Sequence, residues 1–249
     1  SRHDISDEKW AIIGPMLAKA GTETRGRKRK DDRLIFNAIL WIMKTGAPWR
    51  DLHPEFGPWN TVHKRFLEWA RLEVWNDILR MLSINADPEA IIIDATFIKL
   101  PSMVPAQKGH FNQKVGRSKG GLTTKVHAVV DALGNPLRIH LTAGNVNDIV
   151  PACDLIEGLL ADKLLADRAY DANKLLALAE RQNHEVVIPP VPGRLVQREY
   201  DIHAYKERHL VECFFAKLKS FRRVATRYDK LAITFKATVM LAACLVWLQ

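Results

Sequence analysis

The sequence predicts an α/β protein in which a mixed β-sheet is flanked by helices and preceded by an all-α N-terminal domain. Three observations lead to this prediction. Residues 1–86 show mainly helical periodicity. After the boundary at "SINADPEA", apolar runs of strand length alternate with helical segments. With 249 residues, 47% of them hydrophobic, the chain is long enough to bury one large core or two smaller ones.

The helical prediction for residues 1–86 is based on capping and periodicity. "SDEKWAIIGPML" begins with Ser6 as an N-cap, and "DDRLIFNAILWIMKTG" repeats apolar residues at helical spacing until Gly46. "APWRDLHPEFGP" is a turn-rich connector, after which "WNTVHKRFLEWARLEVWNDILRML" resumes the helical period. Two short helices and a turn before a basic, aromatic helix predict either a helix-turn-helix that binds DNA or an ordinary three-helix bundle.

The remaining residues, 87–249, alternate between strands and helices. "AIIID" is a strand, "TTKVHAVVDALGNPLRIHLTAG" is a hairpin, and "KLLADRAY" and "HEVVIPP" are two further strands. "DIVPACDLIEGLLA" and "ANKLLALAERQ" are the intervening helices, and helices over residues 203–223 and 237–248 follow. Three strands, helix, strand, helix, strand and helix is the order of a ribonuclease-H-like fold, preceded here by a helix-turn-helix-like N-terminal domain.

The formal net charge of +9 favours a polyanionic partner, although a basic protein without such a partner shows the same charge. The segment "TRGRKRKDDR" concentrates basic residues between the first two predicted helices. It is either a solvated loop or an arm that contacts DNA phosphates, and the overall charge favours the arm.

The cysteines and the most apolar segment exclude two classes of protein. Cys153, Cys213 and Cys244 are too few and too scattered for a disulfide framework or a zinc cage, so we expect three isolated core thiols in a reducing cytoplasm. "ATVMLAACLVWL", at residues 237–248, is much shorter than the ~20 residues that a membrane span needs. We expect it to form a buried closing helix.

A stripe of polar residues follows the predicted helix over residues 203–223. At about 100° per residue, Tyr205, Arg208, Glu212 and Lys219 fall within one narrow arc, and apolar residues fall on the opposite side. Solvation of a helix face can produce such a stripe on its own. A functional interpretation therefore needs partner residues elsewhere in the chain.

Two aspartates supply possible partners for that stripe. Asp94 and Asp167 each end an apolar run, where a carboxylate is costly unless it has a partner, although starting a turn or capping a helix explains either one alone. In the predicted order their strands are neighbours, and Glu212 can reach the same edge. Three converging carboxylates need cations, and Mg²⁺ prefers such oxygen ligands. Two ions roughly 3.5–4 Å apart would stabilise the attacking and leaving oxygens when a phosphodiester is cleaved. Arg208 and Lys219 would then contact the DNA phosphates.

Other acidic residues and the histidines have simpler interpretations. Asp171, four residues after Asp167, is expected to cap the following helix, and Asp148 is also expected to be a cap. Asp131 belongs to the hairpin turn. Three histidines have no partners at metal-ligand spacing and are expected in the core or on the surface: His127, His140 and His209.

At these residues the chain resembles a bacterial insertion-sequence transposase of the DDE class, in the insertion-sequence-five-like family. The group's pattern Y-x2-R-x3-E-x6-K is met by Tyr205, Arg208, Glu212 and Lys219. "DAT" at Asp94 and "ADRAYD" around the second aspartate resemble the two other catalytic motifs. "TGAPWRDLHPEFGPWNTVHKRFLEW", "GRSKGGLTTKVHAVVDALGNPL" and "ATRYDKLA" match further blocks of the group, so the resemblance covers nearly the whole chain.

The resemblance implies a catalytic triad of Asp94, Asp167 and Glu212 that also binds the metal, two Mg²⁺ ions for which Mn²⁺ can substitute. Residues 1–86 would then bind the terminal inverted repeats of the element, and residues 87–249 would form the catalytic domain. The protein would cleave the 3′ ends of the element and join them to target DNA. It would act on double-stranded DNA as a homodimer or higher oligomer. The reaction would take place in the bacterial cytoplasm, at the nucleoid, and would involve no membrane.

The residues that we expect to contact DNA are basic or polar: Tyr205, Arg208, Lys219, Arg25, Arg27, Lys28, Arg29, Lys30, Asn60, Thr61, His63, Lys64, Arg65, Arg117, Lys119, Lys125, Arg222 and Arg223.

Two other functions fit the same sequence. A ribonuclease-H-like nuclease or resolvase would hydrolyse DNA without joining ends. A transposase-derived regulator would bind DNA without catalysis.

Overall fold

The computed structural model describes residues 3–20, 30–101, 113–195 and 197–249. The chain divides into two compact units, a helical unit made of Ser1–Met81 with Leu218–Gln249 and a sheet unit made of Leu82–Lys217. The break after residue 81 lies close to the boundary expected at 86. The final residues, from Leu218 onward, group with the N-terminal helices rather than with the sheet.

The helical unit is built from six helices within its described residues: α1 (Asp7–Lys19), α2 (Asp32–Thr45), α3 (Trp59–Arg71), α4 (Val74–Leu82), α9 (Arg222–Ala225) and α10 (Ala232–Trp247). The predicted caps are confirmed. Ser6 Oγ accepts a hydrogen bond from Lys9 N at 3.4 Å, and Gly46 ends α2 in the left-handed region with a φ of 72°. Two 3-10 turns, Trp49–Asp51 and Pro54–Phe56, connect α2 to α3.

The core of the helical unit explains why the chain end belongs to it. Helix α10 is apolar around its whole circumference and contacts α3 and α9, while α9 contacts α2. The buried rings of Trp69 and Trp75 pack edge to face in the same unit, with their centroids 5.8 Å apart. The expectation of a buried closing helix is confirmed, and no helix among the described residues is long and apolar enough to cross a membrane.

Within its described residues, the sheet unit contains six strands: β1 (Ala90–Lys99), β2 (Gly116–Ser118), β3 (Gly121–Asp131), β4 (Pro136–Ala143), β5 (Lys163–Leu165) and β6 (Glu185–Val187). Strand β3 pairs antiparallel with β1, β2 and β4, whereas β5 pairs parallel with both β1 and β6. This confirms the predicted ribonuclease-H-like mixed sheet. The short strand β2 was not expected.

Helices connect the parallel strands, as the sequence predicts. Helix α5 (Ala152–Ile156) precedes β5, and α6 (Asn173–Arg181) lies between β5 and β6. The single helix expected over residues 203–223 is wrong in detail. The chain forms α7 (Ile202–Tyr205), a 3-10 turn and α8 (His209–Lys219), because tighter i→i+3 bonds replace the α-helical pattern at the junction. A break with extended backbone at Phe221 then precedes α9.

Two smaller expectations also have clear outcomes. The buried Asp131 organises the β3–β4 turn, as predicted, because its carboxylate accepts hydrogen bonds from Leu133 N at 3.0 Å and Asn135 N at 2.8 Å. The expectation of three core thiols is wrong for Cys213, which lies exposed on α8. Cys244 is buried and Cys153 is half-buried.

Candidate active site

Asp94 lies in the middle of β1, which continues to Lys99, whereas Asp167 lies two residues beyond the end of the neighbouring parallel strand β5. Ile92 of β1 is in register with Leu165 of β5, and each aspartate follows two residues later. Side chains two residues apart point to the same face of a sheet, so the register directs both carboxylates to one face, where the pairing of β1 with β5 ends. Burial raises the pKa of Asp94, and the charge of Asp167 acts in the same direction, against the Ala95 amide and Arg208.

Arg208 connects Asp94 with the third predicted carboxylate. Its Nη1 donates to Asp94 Oδ2 at 2.9 Å, and its Nη2 donates to Glu212 Oε1. Burial alone would lower the pKa of Arg208, but the charges of Asp94 and Glu212 raise it. The expectation that Arg208 faces DNA phosphates therefore differs from the structure, in which the guanidinium is held between two carboxylates.

Backbone amides orient the carboxylates of Asp94 and Asp167. Asp94 Oδ1 accepts from Ala95 N at 2.7 Å, and Asp167 Oδ1 accepts from Ala169 N at 2.9 Å. Asp167 thus also caps the 3-10 turn Arg168–Tyr170, so the capping interpretation and the site interpretation both apply to it.

The chemistry of these donors suits a hard divalent cation, which prefers carboxylate oxygens. Asp94 and Asp167 repel each other at one edge, and a cation there would relieve that repulsion. Across the described ranges of the chain, however, no three acidic, histidine or cysteine side chains are grouped closely enough to hold a metal ion. Glu212 is instead paired with Arg208.

Tyr170 is a site residue that the sequence analysis missed. It is buried beside the carboxylates, and burial, with the charges of Asp148, Asp94 and Asp167, raises its pKa far above the ordinary range. The phenol therefore stays neutral. Its hydroxyl has no hydrogen-bond partner within the part of the chain that the structure describes. Its position three residues after Asp167 could have indicated that it lies near the site. Its burial, however, cannot be read from the sequence.

Lys125 is an internal residue, which corrects its assignment as a DNA contact. Its side chain is 7% exposed, and its Nζ lies 2.8 Å from Asp148 Oδ1 and donates to Val146 O at 2.7 Å. The same bond corrects the expectation that Asp148 caps a helix, because α5 starts at Ala152 with Pro151 as its N-cap. Because Asp148 compensates the charge of this buried ammonium, the position argues against a phosphate contact.

Replacing Lys125 by methionine is expected to lower the free energy of unfolding by about 2 kcal/mol, because Asp148 would lose its buried partner. The dependence of DNA affinity on salt should not change. The control is Lys119→Met on the exposed β2–β3 turn, which should leave stability unchanged and reduce the salt slope by about 1. Chemical denaturation and binding at several salt concentrations measure both quantities, and a reduced slope for Lys125→Met would restore it as a DNA contact.

The other predicted DNA contacts separate into groups by exposure. Six are exposed: Lys30, Asn60, Lys64, Arg117, Lys119 and Arg222. Four are partly buried: Thr61, His63, Tyr205 and Lys219. Two are held in internal ion pairs, which argues against a phosphate contact: Arg65, with Asp32 and Glu68, and Arg223, with Asp229. Four lie outside the described residues: Arg25, Arg27, Lys28 and Arg29.

Asp171 has a structural role, although not the one expected. Helix α6 has Ala172 as its N-cap and no side-chain cap. The fully buried Asp171 side chain instead accepts from Arg194 Nε at 2.7 Å, Arg198 Nη2 at 2.9 Å and Val191 N at 2.8 Å. Both carboxylate oxygens are therefore occupied by protein donors, which supports Asp167 as the site residue of the pair.

Comparison with known proteins gives matches to both parts of the chain. Residues 85–247 match the family model described as "Transposase DDE domain", and residues 5–79 match the model described as "Putative transposase of IS4/5 family". The "Putative transposase for insertion sequence element IS6501" of Brucella ovis is 44% identical over 130 residues, which are 51% of this chain and 100% of that protein. The "Putative transposase for insertion sequence element IS402" of Burkholderia cepacia is 34% identical over 136 residues, 49% and 62% of the two chains.

Proposed function

We propose, since the chain belongs to the DDE transposase family, that it binds the terminal inverted repeats of an insertion sequence, cleaves the 3′ ends and joins them to target DNA with Mg²⁺. One observation carries this proposal. Asp94 and Asp167 follow paired residues of two parallel strands, and Arg208 links Asp94 to Glu212. This arrangement supports the proposal, because the family's activity needs three carboxylates within reach of one phosphodiester.

Asp94 and Asp167 would hold the divalent cations, Mg²⁺ or Mn²⁺, with Glu212 as the third ligand. Bound cations supply charge neutralisation for the attacking and leaving oxygens of the phosphodiester. The protein supplies the orientation. The amides of Ala95 and Ala169 fix one oxygen of each aspartate, so the second oxygen of each carboxylate points in a set direction.

Arg208 would compensate the negative charge of the site before DNA and cations arrive. Its guanidinium is charged under all working conditions and now contacts two of the three carboxylates. Once cations neutralise these carboxylates, the guanidinium can bind a DNA phosphate, which is the role that the sequence pattern predicts. The two interpretations of Arg208 would thus describe two states of one site.

Arg208→Gln is expected to tighten Ca²⁺ binding about tenfold, because the change removes a positive charge next to Asp94 and Glu212. Isothermal titration calorimetry with Ca²⁺ measures this without cleavage. The matched control is Arg222→Gln, an exposed arginine on α9, which should leave Ca²⁺ affinity unchanged. Weaker Ca²⁺ binding by Arg208→Gln would show that the guanidinium supports the cation site instead of competing with it.

DNA binding is proposed for exposed basic and polar side chains. Asn60 and Lys64 lie on the exposed face of α3, Arg117 lies on β2, and Lys119 lies on the β2–β3 turn. With the net charge of +9, such contacts give binding that depends strongly on salt. We also propose that the chain acts on DNA as a homodimer or higher oligomer, because two element ends must be handled together.

An in vitro assay with the DNA ends of the element, target DNA and Mg²⁺ tests the proposal. A transposase gives nicked 3′ ends and joined products. A nuclease or resolvase with the same fold would give cut ends without joined products. A regulator without catalysis would bind the ends and leave them uncut, and either of these outcomes would replace the proposed reaction.

A further inference from the structure

A surface pocket of about 390 Å³ lies in the helical unit, lined by Gly46, Pro48, Trp49, Arg223 and Tyr228. Its residues come from the turn after α2 and from the region around α9. The volume is at the lower end of the range of about 300–1,000 Å³ that is typical of small-molecule sites. The pocket therefore has room for one planar ring system and not for a duplex.

Two aromatic rings and one guanidinium form the walls of this pocket. The Arg223 guanidinium carbon lies 5.9 Å from the ring centroids of both Trp49 and Tyr228. His63 and Phe66 pack against Trp49 at centroid distances of 4.8 and 5.4 Å, which fixes the orientation of the indole. Tyr228 is 48% exposed. One wall is thus rigid, and the other is open to an incoming ring.

The charge of the pocket argues against an anion as its ligand. Arg223 is 8% exposed and donates to Asp229 Oδ1 at 2.9 Å, so its positive charge is already compensated. Aromatic walls and a compensated charge together suit a planar ring system, and a phosphate fits less well.

We propose that this pocket binds one unpaired nucleobase of the DNA, stacked on the exposed ring of Tyr228 and next to Trp49 and Arg223. A nucleobase is a planar heterocycle with acceptor atoms, and stacking on aromatic side chains accepts every base. The inference rests on the proposed function for the source of the base. It replaces the phosphate contact expected of Arg223, and it places base recognition outside the carboxylate site.

Three duplexes of one sequence test the inference with the full chain in Ca²⁺. One duplex is fully paired, one carries a single bulged adenine, and one carries a bulged abasic nucleotide. The bulged adenine should be bound about tenfold more tightly than the other two. Tyr228→Ala should remove this preference, whereas Tyr228→Phe keeps the ring and the preference. Leu72→Ala, also 48% exposed and in the same unit, is the matched control and should keep it.

Each other outcome overturns a defined part of the inference. Equal affinity for the adenine and abasic bulges would show recognition of bent DNA instead of a base. A preference that survives Tyr228→Ala would place the base elsewhere. Binding of free dAMP without any preference among the duplexes would make a free nucleotide the ligand. Failure to bind any of the three duplexes would overturn the proposed function as well, whereas equal binding of all three overturns the pocket alone.

Discussion

Asp94→Asn, Asp167→Asn and Glu212→Gln are each expected to reduce DNA cleavage at least about a thousandfold while leaving DNA affinity nearly unchanged. The loss corresponds to about 4 kcal/mol of transition-state stabilisation, the size expected when a cation loses a charged ligand. We expect DNA affinity to be preserved because, in the proposed function, the three carboxylates hold cations and exposed basic residues contact the phosphates. Asp94 and Glu212 already pair with Arg208. Single-turnover cleavage and equilibrium binding in Ca²⁺ separate the two quantities.

Two exposed acids of the sheet unit serve as matched controls. Asp162 immediately precedes β5, and Glu207 lies five residues before Glu212 on the same helical segment. Asp162→Asn and Glu207→Gln make the same chemical changes without touching the carboxylate site and should retain cleavage. If any one of the three predicted triad variants is fully active, that residue is not part of the triad.

The placement of the two aspartates could be predicted in part, because their signal is local. An apolar run that ends in a carboxylate predicted a strand end at both positions. This holds for Asp167, which follows β5, but it is wrong for Asp94, because β1 continues to Lys99. The order of strands and helices then made β1 and β5 neighbours, which the pairing of Ile92 with Leu165 confirms. Local patterns and connection rules were sufficient for this part of the site.

The partners of charged side chains could not be predicted in the same way. The helical stripe gives the face on which Arg208 lies, but its contact with Asp94 joins residues 114 positions apart. In the sequence, Lys125 has the pattern of a basic surface residue on a strand. In the structure it is buried and forms an ion pair with Asp148, which lies in a loop. Such long-range pairs depend on tertiary packing, which neither periodicity nor composition reports.

Asp171→Asn is expected to lower the free energy of unfolding by about 2 kcal/mol at pH 7 and to retain cleavage well below its Tm. The Asp171 carboxylate is fully buried and holds Arg194 and Arg198. Breaking a buried pair typically costs about 3–5 kcal/mol. We expect less here because each arginine keeps about a quarter of its side chain exposed. Asp167→Asn should show the opposite behaviour, with cleavage lost and stability nearly unchanged.

The pH dependence gives this prediction a second, independent readout. Burial alone would raise the pKa of Asp171, but hydrogen bonds from Arg194, Val191 N and Arg198 outweigh it and hold the pKa below the ordinary 3.8. A lowered pKa stabilises the fold above 3.8, and this contribution is lost as the pH falls further. The stability difference between the wild type and Asp171→Asn should therefore shrink below about pH 4. A constant difference from pH 7 to pH 3 would mean that packing, and not charge, holds Asp171 in place.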